Sequence, residues 1–416
     1  MLTLMPEIRD PIHGFILFDA LERALLNSRA MQRLKYVHQL ALTYLVYPSA
    51  THSRFEHALG TMELAGRAFD AIQRNSPDVA LQVFGDEAEQ RRWRATARIG
   101  GLLHDIGHAP FSHAGDTLLG NRSHESIGES VILDQEISDI LSGAGTYRID
   151  PKEVAFVATG RGEAPNEAAL MAKEIIAGDL GVDRMDYLRR DSYMCGVAYG
   201  MFDLHRLVGT LRLARRGEDR SPALALELGG VQAAEGLLTA RYFMFSQVYF
   251  HQVRVAYDEH LIRFLRAFLP NGEYPEGLED YLTYDDIKIM TLVRQHAEHD
   301  IDAKAITDRQ HFRVAYRRDS DPLSDYEFEE ALKDRLSSFD DSVIISSGSK
   351  NAVAISRGDV LVFDPLDESV SDILDRSQML SELEGVGYIR AFAQADVFDA
   401  VKDEVGEFVA QYEEGR

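Results

Sequence analysis

The chain of 416 residues holds one cysteine, Cys195. No internal disulfide can form, and any metal must be held by His and Asp rather than by thiolates. No run of about 18 apolar residues occurs, so no membrane-spanning helix is expected. The opening MLTLMPEIRD lacks a basic stretch leading into an apolar one. No secretory leader is therefore expected, and a cytoplasmic location is. Lysine is scarce, eight residues against 36 arginines. Together they are outnumbered, 44 Lys and Arg against 68 Asp and Glu, for a formal charge of −24. That field opposes non-specific binding to nucleic acid or to an anionic membrane, but not a local basic pocket for a small phosphate compound. Internal repeats and low-complexity segments are absent. What is present, 45% hydrophobic and 27% charged residues, is the composition of a globular protein long enough for two or three domains.

The chemistry is densest at Ile99–Asp116, IGGLLHDIGHAPFSHAGD. An apolar helical run, Ile99 to Leu103, delivers His104-Asp105. His108 lies one helical turn after His104 and points the same way. Pro110 forces a break or a new helix start, which re-aims His113 and Asp116. Five groups able to ligate a metal or transfer a proton, packed this closely behind an apolar anchor, point to a metal site with acid/base groups beside it.

Around this stretch the periodicity is mainly helical. Residues 7–17 read as extended with a turn at Asp10-Pro11, and 18–39 as helical. A long helix reads from Thr51 or His52, apolar at Phe55, Leu59, Met62, Ala65, Phe69 and Ile72. Arg54 and His57 share one of its faces, and Gly60 and Gly66 suggest close packing on another helix. Helical patterns follow at about 86–106, 123–143 and 150–177. The segment GDLGVDRMDYLRRDSYMCGVAYG then interleaves Asp179, Asp183, Asp186 and Asp191 with Arg184, Arg189 and Arg190. Residues 211–228 read as a hairpin, and 230–269 as one long aromatic-rich helix carrying His251 and Arg254. Asn271-Gly272 and Pro275 mark the best boundary. Beyond it come a helix at about 284–298, strands at 311–316, 342–347, 352–356, 359–364 and 388–393, and helices near 324–337 and 395–412. The expectation is a mainly α protein, with residues 1–270 as the catalytic domain and 271–416 as a smaller α+β accessory or oligomerisation region. A divalent cation needs several converging ligands, and His57 and Asp183 are the candidates to complete a set begun by His104 and Asp105.

The ordered motifs DPIHGFI (10–16), QRLKYVHQL (32–40), SRFEHALGT (53–61), LLHDIGHAPFSH (102–113), SHES (123–126), VDRMDYLRRD (182–191) and VYFHQVR (248–254) resemble those of the HD-domain phosphohydrolases. More narrowly, they resemble the deoxynucleoside triphosphate (dNTP) triphosphohydrolases, the group containing the animal SAM-and-HD-domain enzymes and many prokaryotic relatives. The resemblance spans about residues 7–270. It implies an HD-domain helical fold and hydrolysis of a dNTP to deoxynucleoside and triphosphate. His57, His104, Asp105 and Asp183 would hold a manganese, magnesium, iron or zinc ion. His113 would protonate the leaving 5′-oxygen with Asp116 orienting it. His108, His124 and Glu125 would form the adjoining polar shell, around a second metal or the attacking water. Arg54 and Arg184 would hold phosphate oxygens. Gln39, Tyr187 and Asp191 would contact the sugar, and His251 would lie in the helix closing the base and phosphate side. A homodimer or tetramer, and a nucleotide activator, are further implications.

Two departures stand out. Pro6, Asn27 and Lys35 occupy the places where guanine-activated members carry a lysine, an aspartate and an arginine, which argues against guanine-specific activation and leaves another dNTP, or none, open. Val255 stands where the animal enzymes have a sugar-stacking tyrosine. Two rival readings are another HD-type nucleotide phosphohydrolase, such as a 5′-nucleotidase or phosphodiesterase, and a nucleotide-sensing scaffold with little turnover.

Overall fold

The computed structural model describes residues 6–143, 148–216, 221–319, 325–350 and 355–414. It is mainly helical, with small sheets. The fold begins with an antiparallel hairpin, Glu7–Asp10 against Gly14–Leu17. Its turn is made by the Asp10 carboxylate, which accepts from the backbone N–H groups of Ile12 and His13, and by Gly14 at φ +81°. The helical reading of 18–39 resolves into two short helices, Ala20–Leu26 and Arg29–Arg33, and a 3-10 turn.

The helix that organises the molecule is Arg54–Asn75. It starts at Ser53 rather than at Thr51 or His52, because Ser53 and Glu56 form a reciprocal capping box there. Its two halves serve two different cores. Ala58, Leu59 and Met62 pack with Leu25, Met31, Leu102 and Ile106, while Ala65, Ala68, Phe69 and Ile72 pack with Trp93, Ile176, Leu207 and Leu237. The Glu87–Leu103 helix, capped by Asp86, lies against it and ends at His104. Gly101 permits that approach: a Cβ there would stand 3.0 Å from the Thr61 carbonyl oxygen. A third helix, Val182–Cys195, crosses the same region, and at Gly60 a Cβ would fall 1.8 Å from Asp186 Oδ1.

The longer helical readings divide. Residues 123–143 form His124–Leu133 and Gln135–Gly143, and 150–177 form Pro151–Thr159 and Glu167–Ala177. The single helix expected over 230–269 is two, Val231–Met244 and Gln252–Phe268, joined by a π-helical turn at Phe245–Tyr249 where the Phe250 N–H reaches back to the Phe245 carbonyl. Leu211–Arg216 and Ser221–Glu227 pair antiparallel as expected, and Leu361–Asp364 then adds in parallel and Ser369–Asp372 antiparallel, giving a four-stranded sheet. In a three-stranded antiparallel sheet Val386–Ala393 runs between Arg313–Arg318 and Val343–Lys350, with the helices Tyr326–Leu336 and Phe398–Glu414 packed on it. The strand expected at 352–356 falls mostly outside the described residues. Packing is continuous across Asn271-Gly272: Tyr274, Tyr281, Ile289 and Val293 share a core with Phe264, Leu103 and Ile106.

Candidate metal centre and its surroundings

Three helices deliver four ligand-bearing side chains to one point. His57 comes from the first turn of Arg54–Asn75, His104 and Asp105 from the end of Glu87–Leu103, and Asp183 from the first turn of Val182–Cys195. His57 Nε2 lies 3.2 Å from His104 Nε2 and 3.0 Å from Asp183 Oδ1. Asp105 closes the group, with Oδ1 3.4 Å from His104 Nε2 and Oδ2 3.7 Å from His57 Nε2.

The tautomers decide what this arrangement can hold. His104 Nδ1 is 2.8 Å from the Gly101 carbonyl, which can only accept, so the proton sits on Nδ1 and a lone pair on Nε2. His57 Nδ1 donates likewise to Asp186 Oδ2 at 2.8 Å. Once the Nε2 proton of His57 is given up, two imidazole lone pairs and two carboxylates face one another, a donor set that fits a divalent cation. The field agrees. Burial by itself would lower the His57 pKa, but the hydrogen bonds and charges of Asp183, Asp186 and Asp105 push it up to about 10. Burial would raise the carboxyls of Asp105 and Asp183, yet Arg54 and the neighbouring imidazoles hold Asp105 well below its usual range, and His104 and His57 do the same for Asp183. A pocket that favours a proton so strongly favours a cation.

Behind His57 stands a buried network that the sequence reading did not assign to the site. Asp186 receives His57 Nδ1, His13 Nε2 at 2.6 Å, and both Nε and Nη2 of Arg190 at 2.8 and 2.9 Å. Arg190 reaches on to Asp10 Oδ2 at 2.8 Å. The N-terminal hairpin is thereby tied to the ligand helix. Desolvation would raise the Asp186 pKa, but Arg190, His13 and His57 hold it well below the carboxylate range. The available signals were the DPIHGFI motif, which contains Asp10 and His13, and the three-residue spacing of Asp183 and Asp186.

A second cluster adjoins the first. Asp116 Oδ2 lies 3.3, 3.2 and 3.1 Å from the Nδ1 atoms of His108, His113 and His124. The His108 and His124 rings stack at 3.8 Å, and His124 Nε2 is 3.1 Å from Glu125. His108 Nε2, 3.3 Å from Asp105 Oδ1, joins the two clusters. His108, His113 and Asp116 form another group whose ligand atoms are close enough to share an ion. His113 alone stands out, its side chain 73% exposed. Its position follows from the break after Pro110: Phe111 and Ser112 both adopt positive φ, 58° and 55°, a strain of about 1–3 kcal/mol each.

The remaining predicted residues fall into two groups. Arg54, Arg184, Tyr187, Asp191 and Gln39 surround the centre. Arg54 is buried and already engaged, donating from Nη1 to Asp105 and from Nε to Ser112 Oγ, which leaves Nη2. Arg184 donates to Asp179. The Tyr187 ring packs edge-on to His57 and to Tyr249. Asp191 is held by His52 Nε2 and the Tyr249 hydroxyl, each at 2.7 Å. Gln39 is buried, and its amide oxygen has no hydrogen-bond partner among the described residues. His251 differs. Its neighbours are Tyr47 and Arg390, so the structure does not bring it into the metal group.

Val255 is also displaced from its expected place. It is buried with Phe312, Ile344 and Phe392 under the C-terminal sheet, away from Tyr187 and Asp191. A tyrosine, Tyr249, does stand beside those two, carried there by the π-helical turn. Arg241 is a second residue the sequence reading passed over. It is buried close to Tyr187, Arg184, Asp179 and Asp183, and burial together with Arg184 lowers its pKa.

Among the described residues no helix is long and apolar enough to cross a membrane. Residues 54–191 match the HD domain and 202–365 the HD-associated region. An uncharacterized protein of Methanocaldococcus jannaschii is 35% identical over 70% of this chain and 55% of its own length. The SAMHD1 homolog of Dictyostelium discoideum, named a deoxynucleoside triphosphate triphosphohydrolase, is 31% identical over 59% of this chain and 46% of its own. The chain thus spans about half the length of the curated relatives it matches. A hypothetical protein from Aquifex aeolicus has a solved structure that superposes with a TM-score of 0.80, at 31% identity over 97% of this chain and all of that one. A phosphohydrolase from Bacteroides thetaiotaomicron superposes at 0.72, with 26% identity over 94% of this chain. With the HD domain followed by its associated region, and likeness over the full length of a solved structure, the chain belongs to the HD-domain phosphohydrolases and is similar in sequence to the SAMHD1 proteins.

Proposed function

We propose that this chain hydrolyses dNTPs to deoxynucleoside and inorganic triphosphate, using a divalent ion held by His57, His104, Asp105 and Asp183. The observation that carries the reading is the convergence of two imidazole Nε2 atoms and two carboxylates beside a separate histidine cluster built on Asp116. A divalent ion there would neutralise charge on the α-phosphate and lower the pKa of water. Asp186 keeps His57 in the tautomer that can ligate. Asp116 faces the Nδ1 side of His113, so that the imidazolium, whose pKa desolvation pushes down to about 4, would give its Nε2 proton to the leaving 5′-oxygen, a contribution of about 10²–10⁴ in rate. His108 and His124 flank the Asp116 carboxylate, and Glu125 holds the far nitrogen of His124. Arg184 and Arg241, with Arg54 Nη2, would meet the triphosphate on the Asp183 side. Gln39, Tyr187 and Asp191 would line the sugar, with Asp191 fixed by His52 and Tyr249. The proposed division remains a catalytic part over 1–270 and an accessory or oligomer-forming part over 271–416. A dimer or tetramer, and activation by a second nucleotide, are part of the proposal.

The test is to incubate the protein with each dNTP and NTP, singly and in pairs, with Mn²⁺, Mg²⁺ or Co²⁺, and to resolve the products by chromatography. Deoxynucleoside and triphosphate are expected. Pyrophosphate or monophosphate would refute the reading, and turnover only in mixtures would show activation.

A further inference from the structure

Asp286 lies in the HD-associated region, outside the segment that matches the HD domain, and is 2% exposed. Its carboxylate does not face solvent or a cation from its own helix. Oδ1 accepts from the backbone N–H of Phe111 at 2.7 Å. Oδ2 accepts from the backbone N–H of His38 at 2.8 Å and lies 2.6 Å from His38 Nδ1. Both segments border the candidate site. Phe111 opens the positive-φ pair that precedes His113, and His38 precedes Gln39. The segments are tied to each other as well: Ser112 Oγ donates to the His38 carbonyl at 2.6 Å and accepts from Arg54 Nε at 2.8 Å. A backbone held in the left-handed region at two successive non-glycine residues persists only when its surroundings over-determine it. Here one carboxylate from the associated region and one serine hydroxyl act together with the buried Phe111 ring and the Ser112 N–H to Ala109 carbonyl bond.

We infer that Asp286 is a positioning residue, through which the HD-associated region sets where His113 stands relative to the metal ligands. The inference rests on the reading of His113 as the acid that protonates the 5′-oxygen. Asp286 touches none of His57, His104, Asp105 or Asp183, so its removal should disturb protonation of the leaving group and spare metal binding. A misplacement of about 1 Å at a catalytic group costs on the order of 100-fold in rate.

Asp286→Ala and the milder Asp286→Asn are to be compared with wild type on a dNTP and on its analogue with sulfur in place of the 5′-bridging oxygen, whose thiolate leaves without a proton. For Asp286→Ala the expected result is a fall in kcat of about 100-fold on the dNTP. On the thio analogue the loss should stay within about 3-fold, with KM and Mn²⁺ affinity near wild type. Asp286→Asn, which retains one acceptor for the Phe111 N–H, should lie between. Equal losses on both substrates, or no loss on either, would overturn the inference. If the wild type hydrolyses no dNTP, the proposed function fails by itself, and positioning is then read by hydrogen exchange on the full chain. Faster exchange in Asp286→Ala at residues 109–118 and at the His38 amide, with 57–72 and 183–193 unchanged, supports the role; unchanged protection at 109–118 refutes it. Asp286→Asn supplies the same readout if Asp286→Ala does not fold.

Discussion

Replacing Asp186 by Asn changes one atom and should separate metal binding from stability. The carboxylate accepts four hydrogen bonds, from His13 Nε2 and Arg190 Nη2 on one oxygen and from His57 Nδ1 and Arg190 Nε on the other. An amide turns one oxygen into a donor that faces two donors. If the NH₂ takes the Oδ2 place, His57 can be satisfied only by moving its proton to Nε2, where it blocks ligation. If it takes the Oδ1 place, the conflict falls on His13 and Arg190. Loss of such an orienting partner weakens metal binding by about 10–100-fold, or about 1.4–2.7 kcal/mol. Breaking a buried ion pair costs about 3–5 kcal/mol, and the lower end applies because Arg190 keeps Asp10. Thermal melts without metal read the second quantity. Melts at a Mn²⁺ concentration 100 times the wild-type Kd read the first: about 2.7 kcal/mol of added stability in wild type, and about 0.4 kcal/mol in a variant that binds 100-fold more weakly. Isothermal titration gives the affinity directly. Asp186→Ala leaves no acceptor at either place, and wild-type Mn²⁺ affinity in that variant would refute the tautomer argument, whatever its melting temperature.

Other expectations follow from the same geometry. Gly60→Ala should destabilise by about 2 kcal/mol or more in urea denaturation, because its Cβ would fall 1.8 Å from Asp186 Oδ1. His113→Asn should lower kcat by about 10²–10⁴ with Mn²⁺ affinity unchanged, since its side chain is exposed and outside the first ligand group. Arg241→Met should raise KM for a dNTP more than it lowers kcat, as expected of a residue that meets the triphosphate rather than the reacting atoms. Asp258 gives a pH signature: burial pushes its carboxyl up to about 6 in spite of Arg254 at 2.8 Å. The folded state then holds a proton that the unfolded state has lost, so stability falls as pH rises from about 4 to about 6, by about 3 kcal/mol. Urea titrations across that range should show the slope in wild type and lose it in Asp258→Asn.

Much of the centre could be read from the chain because its residues sit on regular helices, where spacing gives direction. Arg54 and His57 are placed by periodicity alone. The helix expected to run through His104 to about 106 ends instead at Leu103, so His108 lies outside any helix and joins the Asp116 group rather than facing with His104. The metal group came from adding His57 and Asp183 to the His-Asp pair, and the geometry does bring them together. What spacing does not give is which acid faces inward. Asp186 was one of several carboxylates among arginines, and its place behind His57 depends on Gly60 allowing the two helices to touch. The resemblance put Val255 where Tyr249 stands, and the local geometry accounts for the difference. A π-helical turn inserts an extra residue, and every face assignment beyond it rotates. The expected boundary at Asn271-Gly272 marks a turn in the chain, while the packing beneath runs through it.

The Arg54–Asn75 helix belongs to both large cores, and this bears on how the molecule opens. A segment packed against one core can loosen with that core alone. A helix that supplies Met62 to one and Phe69 to the other can be released only when both give way. Its amide protons from about His57 to Ile72 should therefore exchange only through global unfolding, among the slowest in the chain, while the short His113–Asp116 helix beyond Pro110 exchanges through local opening. The rigid and the adjustable halves of the site would thus lie next to each other, joined at His108.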